Sequence, residues 1–438
     1  MRITYITAGA GEMYCGSCIR DNALAAELMA SGHDVELLPM YVPTLTDEEN
    51  VSNNRVFYGG ISVYLEQHLS VFRHTPWLLD RLWESPWLLR TVAGRSVQTR
   101  PERLGNLTVS VLEGHHGNQA KEIEKLLHWL KHQPKTDVVD ISNSMLIALA
   151  KPLKETLQVP VCCTLQGEDI FLGNLQEPYR ERALNLIEKS VPYVDRFLAV
   201  SKYCAEHMSQ FLNIPREKIE VVPLGINING YTRRPYGKTD RFTLGYFGRV
   251  APEKGVHILC EIYKKLRSTG KITSGALKIG GYLAHEHETY LSSILEQVRQ
   301  WGLDSEVTYE GKLDRVKKIE FFNKVDVLAV PALYDAPKGL ALLEAMACGV
   351  PIVVSRRGTY TELIEQTGGG LLIPPDNSEA FMEAIGQLVS DPIRREELSA
   401  NGIAGVNSYY TTATMASRAL AVYSDLVARA SNSTLSVS

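Results

Sequence analysis

Short runs of apolar and β-branched residues alternate with longer stretches of helical period, and the chain passes through this alternation twice. Such a pattern folds as strand–helix units around parallel sheets, because each strand must be covered by helices on both faces. In the first half it predicts strands at 2–6, 34–39, 107–112, 137–141, 160–164, 196–200 and 219–222. Helices are predicted at 17–31, 119–133, 143–156, 176–192 and 201–212. The second half restarts at Phe242 and predicts strands at 242–247, 275–280, 306–310, 326–330, 351–354 and 369–373. The expected fold class is α/β, with two doubly wound domains.

The stretch from Pro223 to Asp240 carries Asn, Gly, Pro and Arg without periodicity, and so reads as a linker. The expected organisation is a first domain over 1–225, a second over 226–409 and a closing segment over 410–438. Residues 42–105 interrupt the first domain. They hold Trp77, Trp83 and Trp87 and read as an insertion of two short helices begun by prolines. Two readings of this insertion stand: tryptophans packed on the domain, or a surface that touches an acceptor or a membrane.

At 438 residues the chain can bury two substantial cores. A net charge of −4 argues against a nucleic-acid partner. Seven cysteines, an odd number with Cys162 and Cys163 in an apolar run, suit free thiols in a reducing compartment. No apolar run reaches the length of a membrane span, and the polar N-terminus reads as a first strand, not a signal peptide. The expected location is the cytoplasm, with peripheral membrane contact through the insertion as a further expectation.

Three loops carry the chemistry. The first, Ala8 to Cys18, follows a strand and opens a helix, so its amides suit an anion. Its spacing fits neither a dinucleotide fingerprint nor a P-loop, since Ser17 follows Gly16 where Lys is required. Cys15 and Cys18 at a helix start admit a redox reading, but no second cysteine pair makes a zinc site.

The second loop, Gly248-Arg249-Val250-Ala251-Pro252-Glu253-Lys254-Gly255, also joins a strand to a helix. Isolated, Arg249 and Lys254 would read as a solvated surface pair. Beside a helix start they supply a planar fork and a point charge to a pyrophosphate. The third runs from Pro331 through Asp335, Lys338, Gly339 and Leu340 into an apolar helix containing Glu344. The amides of Gly339 and Leu340 can hold phosphate oxygens. Glu344 can accept the paired hydroxyls of a ribose, or read as one solvent-facing Glu on a buried helix.

The second loop, the run Leu343-Glu344-Ala345-Met346-Ala347-Cys348-Gly349-Val350-Pro351, and Gly369-Gly370-Leu371-Leu372-Ile373-Pro374 together resemble the donor half of family-four retaining glycosyltransferases. Val222-Pro223-Leu224-Gly225 resembles that family's approach to its interdomain linker. The resemblance covers nearly the whole chain outside 42–105. It implies two Rossmann-like domains facing a cleft, the GT-B architecture, with a last helix returning to the first domain. It implies that Arg249 and Lys254 bind the donor diphosphate without a metal, that Glu344 holds the ribose, and that Gly16 and Gly248 line the donor site.

Two departures accompany it. Ala336 stands where the family's first Glu contacts the sugar, with Asp335 adjacent. Gln166 stands in Thr164-Leu165-Gln166-Gly167 where the family often has His. Gln donates and accepts hydrogen bonds but does not titrate near neutral pH. The resulting expectation is a metal-independent, cofactor-free retaining transferase, moving a hexosyl group from a nucleotide diphosphate sugar to a carbohydrate, lipid or small-molecule acceptor. A weakened sugar-nucleotide-binding protein and a sugar-nucleotide epimerase are the alternatives.

Overall fold

The computed structural model describes residues 1–9, 15–53, 55–58, 63, 66, 67, 101–232 and 241–435. The chain divides into two compact units. One comprises Met1–Val222 with Ala416–Ser438, the other Pro223–Met415.

In the first unit β1 (Arg2–Thr7), β2 (Asp34–Pro39), β3 (Val138–Ile141), β4 (Val161–Leu165), β5 (Arg196–Ala199) and β6 (Ile219–Val221) form one sheet. Its order is β2-β1-β3-β4-β5-β6, and every pairing is parallel. Burial on both faces explains the continuous apolar runs: all five residues of β4 are buried. The chain steps from β1 to β2 on one side and then places β3 on the other. The carboxyl ends of β1 and β3 therefore flank the point where the strand order reverses, the usual ligand crevice of such sheets.

The strand predicted at 107–112 is instead part of the helix Pro101–Leu112. Leu107, Val109 and Val111 alternate with polar residues as a strand would, but Gly105, Val109 and Leu112 form a buried stripe at helical spacing. That stripe packs on the helix Tyr179–Ser190, and Gly105 lies so close that a Cβ there would meet the Tyr179 ring at 2.6 Å. Tertiary packing thus overrides β-propensity. The helix predicted at 143–156 divides into a 3₁₀ stretch, Ser144–Leu149, and the helix Ala150–Leu157. Asn143 caps the first by accepting from the Met145 amide at 3.1 Å.

In the second unit β7 (Phe242–Phe247), β8 (Gly275–Gly280), β9 (Val307–Tyr309), β10 (Val327–Val330), β11 (Ile352–Ser355) and β12 (Gly370–Ile373) form an equivalent parallel sheet of order β12-β11-β10-β7-β8-β9. Its reversal point lies between β7 and β10. The two ends of this unit's chain run side by side: the Ile226 amide donates to the Tyr410 carbonyl at 2.8 Å, and the Thr412 amide to the Ile226 carbonyl at 3.0 Å. Gly225 permits this approach, since a Cβ would meet the Thr411 carbonyl oxygen at 2.4 Å.

The final helix, Thr412–Leu435, belongs to the first unit from Ala416 onward. There Tyr423, fully buried, donates to Asp140 Oδ2 on β3 at 2.5 Å. Trp77, Trp83, Trp87 and the helices expected around them lie outside the described residues, as does the Ala10–Tyr14 part of the first loop.

Candidate functional site

In the second unit the loops after β7 and β10 meet at the reversal point. Gly255 takes a left-handed φ of +77° at the start of the helix Val256–Ser268, and its missing Cβ leaves room for the Pro331 carbonyl, which a Cβ would meet at 2.0 Å. The Leu333 amide donates to the Glu253 carbonyl at 2.9 Å. The Lys254 ammonium donates to the Tyr334 hydroxyl and sits 4.5 Å from that ring's centroid. Burial, and then the nearby Arg249, brings the Lys254 ammonium down to about 7. Lys338 adds to this and Glu253 opposes it.

Arg249 is part-exposed and pairs with Glu253. Its carbonyl accepts from the buried Tyr246 hydroxyl at 2.7 Å, which fixes the loop to the end of β7. Gly281, at φ +124°, packs against the Gly248 carbonyl, which a Cβ on Gly281 would meet at 2.0 Å, and Gly248 itself takes a φ of +153°. Lys338 and Gly339 lead into the helix Leu340–Ala347, whose N-cap, Gly339, provides no side-chain cap. The dipole and first amides of this helix favour an anion. Arg249, Lys254, Lys338 and the helix start thus bring positive charge to one strand-end crevice.

The third loop also turns toward β11. Asp335 is exposed, and its Oδ1 accepts from the Gly358 amide at 3.0 Å. Ala336 is fully buried, and its carbonyl accepts from the Thr359 amide at 2.8 Å. Position 336 is therefore a backbone anchor.

Glu344 is 7% exposed, which removes the solvent-facing reading. Its Oε1 accepts from the Tyr231 hydroxyl at 3.2 Å and from the Lys318 ammonium, itself 4% exposed. Lys318 comes from the helix Arg315–Phe322. Sequence reasoning named Glu344 but not Lys318, Tyr231 or Tyr334. Tyr334 lay within the motif loop, while Lys318 sits in a helix without a recognisable pattern.

Gly16 and Gln166 belong to the first unit. Gly16 begins the helix Gly16–Ala30 with Cys15 as its N-cap, and the described cysteines are free thiols. Gln166 follows β4 and is 3% exposed. Its Nε2 donates to Asp21 Oδ1 at 2.9 Å and to the Ser142 carbonyl at 3.0 Å. Its backbone amide donates to Glu168 Oε2 at 2.9 Å. Asp21 and its fully buried neighbour Arg20 were not foreseen. No motif marks them, and polar residues inside a helix give no signal of burial.

Among the described residues no group of three or more His, Cys, Asp or Glu is arranged to hold a metal ion. Among them, too, no helix is long and apolar enough to cross a membrane.

Comparison with known proteins bears on both units. The family model for glycosyl transferases group 1 matches residues 232–404, and that for glycosyltransferase family 4 matches 97–229. An uncharacterised glycosyltransferase of Methanocaldococcus jannaschii is 26% identical over 69% of this chain and 79% of its own. A lipopolysaccharide core biosynthesis mannosyltransferase of Rhizobium meliloti is 29% identical over 42% of this chain, which spans about half (52%) of that relative. The Anabaena HepE structure in complex with UDP and glucose superposes with a TM-score of 0.66 at 16% identity, covering 97% of this chain and 100% of that one. At that identity the likeness is one of fold.

Proposed function

The chain belongs to the group 1, family-four glycosyltransferases, and from that membership we propose that it moves a hexosyl group, with retention, from a nucleotide diphosphate sugar to a carbohydrate or lipid acceptor. The observation that carries this reading is the meeting of Arg249, Lys254 and the Leu340 helix start at the reversal point between β7 and β10. The Anabaena neighbour with UDP and glucose in its structure supports a sugar-nucleotide donor.

In this reading the diphosphate displaces Glu253 from Arg249 and takes the guanidinium fork itself. Lys254 gains the proton that burial had made costly. Both cations, with Lys338 and the amides of Gly339 and Leu340, stabilise the negative charge that grows on the departing diphosphate. Glu344 accepts from the ribose while Lys318 and Tyr231 hold its carboxylate in place. Within the second unit Asp335 meets a sugar hydroxyl and Gly248 lets backbone approach the donor; within the first, Gln166 meets a sugar hydroxyl and Gly16 lets backbone approach; a donor phosphate oxygen takes the acceptor proton. Cationic side chains carry the charge of the leaving group, so the reaction needs no metal or resident cofactor.

The test is turnover of UDP-, GDP- and ADP-hexoses against an acceptor panel, with and without EDTA. Release of nucleoside diphosphate and formation of an α-configured product from an α-configured donor, undiminished by chelator, is the expected result. Tight binding of a sugar nucleotide with neither transfer nor hydrolysis would overturn the transferase reading.

A further inference from the structure

We infer that Asp21 is a positioning residue that fixes the polarity of the Gln166 amide, so that position 166 presents a hydrogen-bond acceptor, and never a donor, to a sugar hydroxyl. The inference rests on the glycosyl-transfer reading above and adds to it the direction of one hydrogen bond and the residues that set it.

An amide side chain is ambiguous until its neighbours decide which end points where. Here both Nε2 hydrogens have acceptors, Asp21 Oδ1 at 2.9 Å and the Ser142 carbonyl at 3.0 Å. Reversing the amide would set Oε1 against those two oxygens, acceptor against acceptor. Oε1 is buried and has no hydrogen-bond partner among the described residues. It lies just past the carboxyl end of β4, next to Ser142 at the end of β3. A buried acceptor with no protein partner is costly to keep unless something donates to it, and a sugar hydroxyl is the donor that the proposed reaction brings.

Asp21 is itself held as a pure acceptor. Tyr5 donates to its Oδ1 at 3.0 Å and Thr7 to its Oδ2 at 2.9 Å. Arg20 Nη1 donates to the Tyr5 hydroxyl at 2.6 Å and reaches Asp21 Oδ1 at 3.3 Å. Arg20 Nη1 and Gln166 Nε2 can only donate, so Asp21 Oδ1 is an acceptor whichever way the two hydroxyls turn. Burial pushes the Asp21 carboxyl upward; the Arg20 guanidinium, first among the opposing causes, and the three neutral donors push it back. On balance burial leaves the carboxyl raised, and it is the geometry of Arg20 and Tyr5 on Oδ1 that fixes this oxygen as the acceptor to which Gln166 donates.

The experiment uses the full-length protein, whichever of UDP-glucose, UDP-N-acetylglucosamine and GDP-mannose it turns over, and the deoxy analogues of that donor. Wild type, Gln166→Met and Asp21→Asn are compared. One deoxy analogue is expected to lower wild-type kcat/KM by about 10- to 100-fold, the size of a lost hydrogen bond to a buried acceptor. Gln166→Met, which keeps the Arg20–Asp21 pair, should lose that discrimination. Asp21→Asn should shrink it while leaving nucleoside diphosphate affinity unchanged, a selectivity that a structural role alone would not produce.

Because Asp21→Asn can unsettle Arg20, the Gln166 side-chain amide gives a second reading by NMR, assigned as the pair of signals missing in Gln166→Met. Both Nε2 protons should be protected from exchange in wild type. Equal deoxy penalties in wild type and Gln166→Met, or rapid exchange of that amide, overturns the inference alone. Failure of wild type to turn over any sugar nucleotide overturns the function reading and the hydroxyl partner with it.

Discussion

Lys254 is bound to Tyr334 across two loops: its ammonium donates to the phenol and lies 4.5 Å from the ring centroid. The contact joins the loop after β7 to the loop after β10, and it places a partly desolvated cation where the donor diphosphate is proposed to sit. Its consequences can be measured.

The first consequence is pH dependence. With the Lys254 ammonium lowered to about 7, the free protein holds this lysine largely neutral at pH 8. A diphosphate restores the charge, so binding should take up a proton. Calorimetric titration of nucleoside diphosphate at pH 8, in buffers of different ionisation enthalpy, should show uptake approaching one proton per site. Affinity should fall by up to about tenfold per pH unit above neutrality, until the bound-state value is reached. For stability the sign runs the other way. Between about 7 and the ordinary lysine value of ~10.4 the unfolded chain holds a proton that the folded chain lacks, so this group's contribution rises with pH. Buffer-independent enthalpies would contradict the account.

Glu344 and Lys318 should behave as one unit. Each is almost fully buried, and the ammonium donates to the carboxylate. Truncating either removes the charge facing the other. Glu344→Ala and Lys318→Met are each expected to lower Tm, and the double variant by less than their sum. A coupling of about 1–3 kcal/mol is expected in urea unfolding. Strict additivity would remove the pair from the account of how Glu344 is positioned.

Gly255→Ala should fail for two reasons. Its φ of +77° disfavours any side chain, and a Cβ would stand 2.0 Å from the Pro331 carbonyl oxygen. The loop carrying Lys254 must therefore shift away from β10. Thermal unfolding should report a loss of roughly 1–3 kcal/mol, with weakened nucleoside diphosphate binding in the folded fraction. Wild-type stability in Gly255→Ala would mean that the close approach is not needed.

Asp335 separates loop anchoring from sugar contact. Its Oδ1 accepts from the Gly358 amide at 3.0 Å, and an asparagine can still accept there. Asp335→Ala should cost about 0.5–1.5 kcal/mol of stability and lower turnover more than nucleoside diphosphate affinity. Asp335→Asn should recover the stability. A variant pair with identical Tm would show that the Gly358 contact contributes nothing.

The two-sheet architecture was legible because parallel strands buried on both faces read as near-continuous apolar runs, as in β10 and, but for Thr164, in β4. The segment 107–112 misled because Leu107, Val109 and Val111 alternate like a strand, while the contact that makes them helical, Gly105 against Tyr179, joins residues far apart in sequence. Arg249, Lys254 and Glu344 could be proposed from the sequence because loop motifs at strand ends carry their residues at local spacing. Asp21, Arg20, Lys318 and Tyr423 could not. Each acts through a partner on another element, and a buried polar residue reads in sequence like an exposed one. Ala336 shows the reverse case: its departure from the family pattern was visible, but its role as a backbone anchor to Thr359 required coordinates.

The central claim is that the reversal point between β7 and β10 is a diphosphate site. Titration of UDP, GDP and ADP and their hexose conjugates into wild type, Arg249→Ala and Lys254→Ala tests it directly. At least one nucleotide should bind wild type, and each substitution should weaken that nucleotide by about 10- to 100-fold, corresponding to ~1.5–3 kcal/mol for a charge-assisted contact. Unchanged affinity in both folded variants would contradict the assignment.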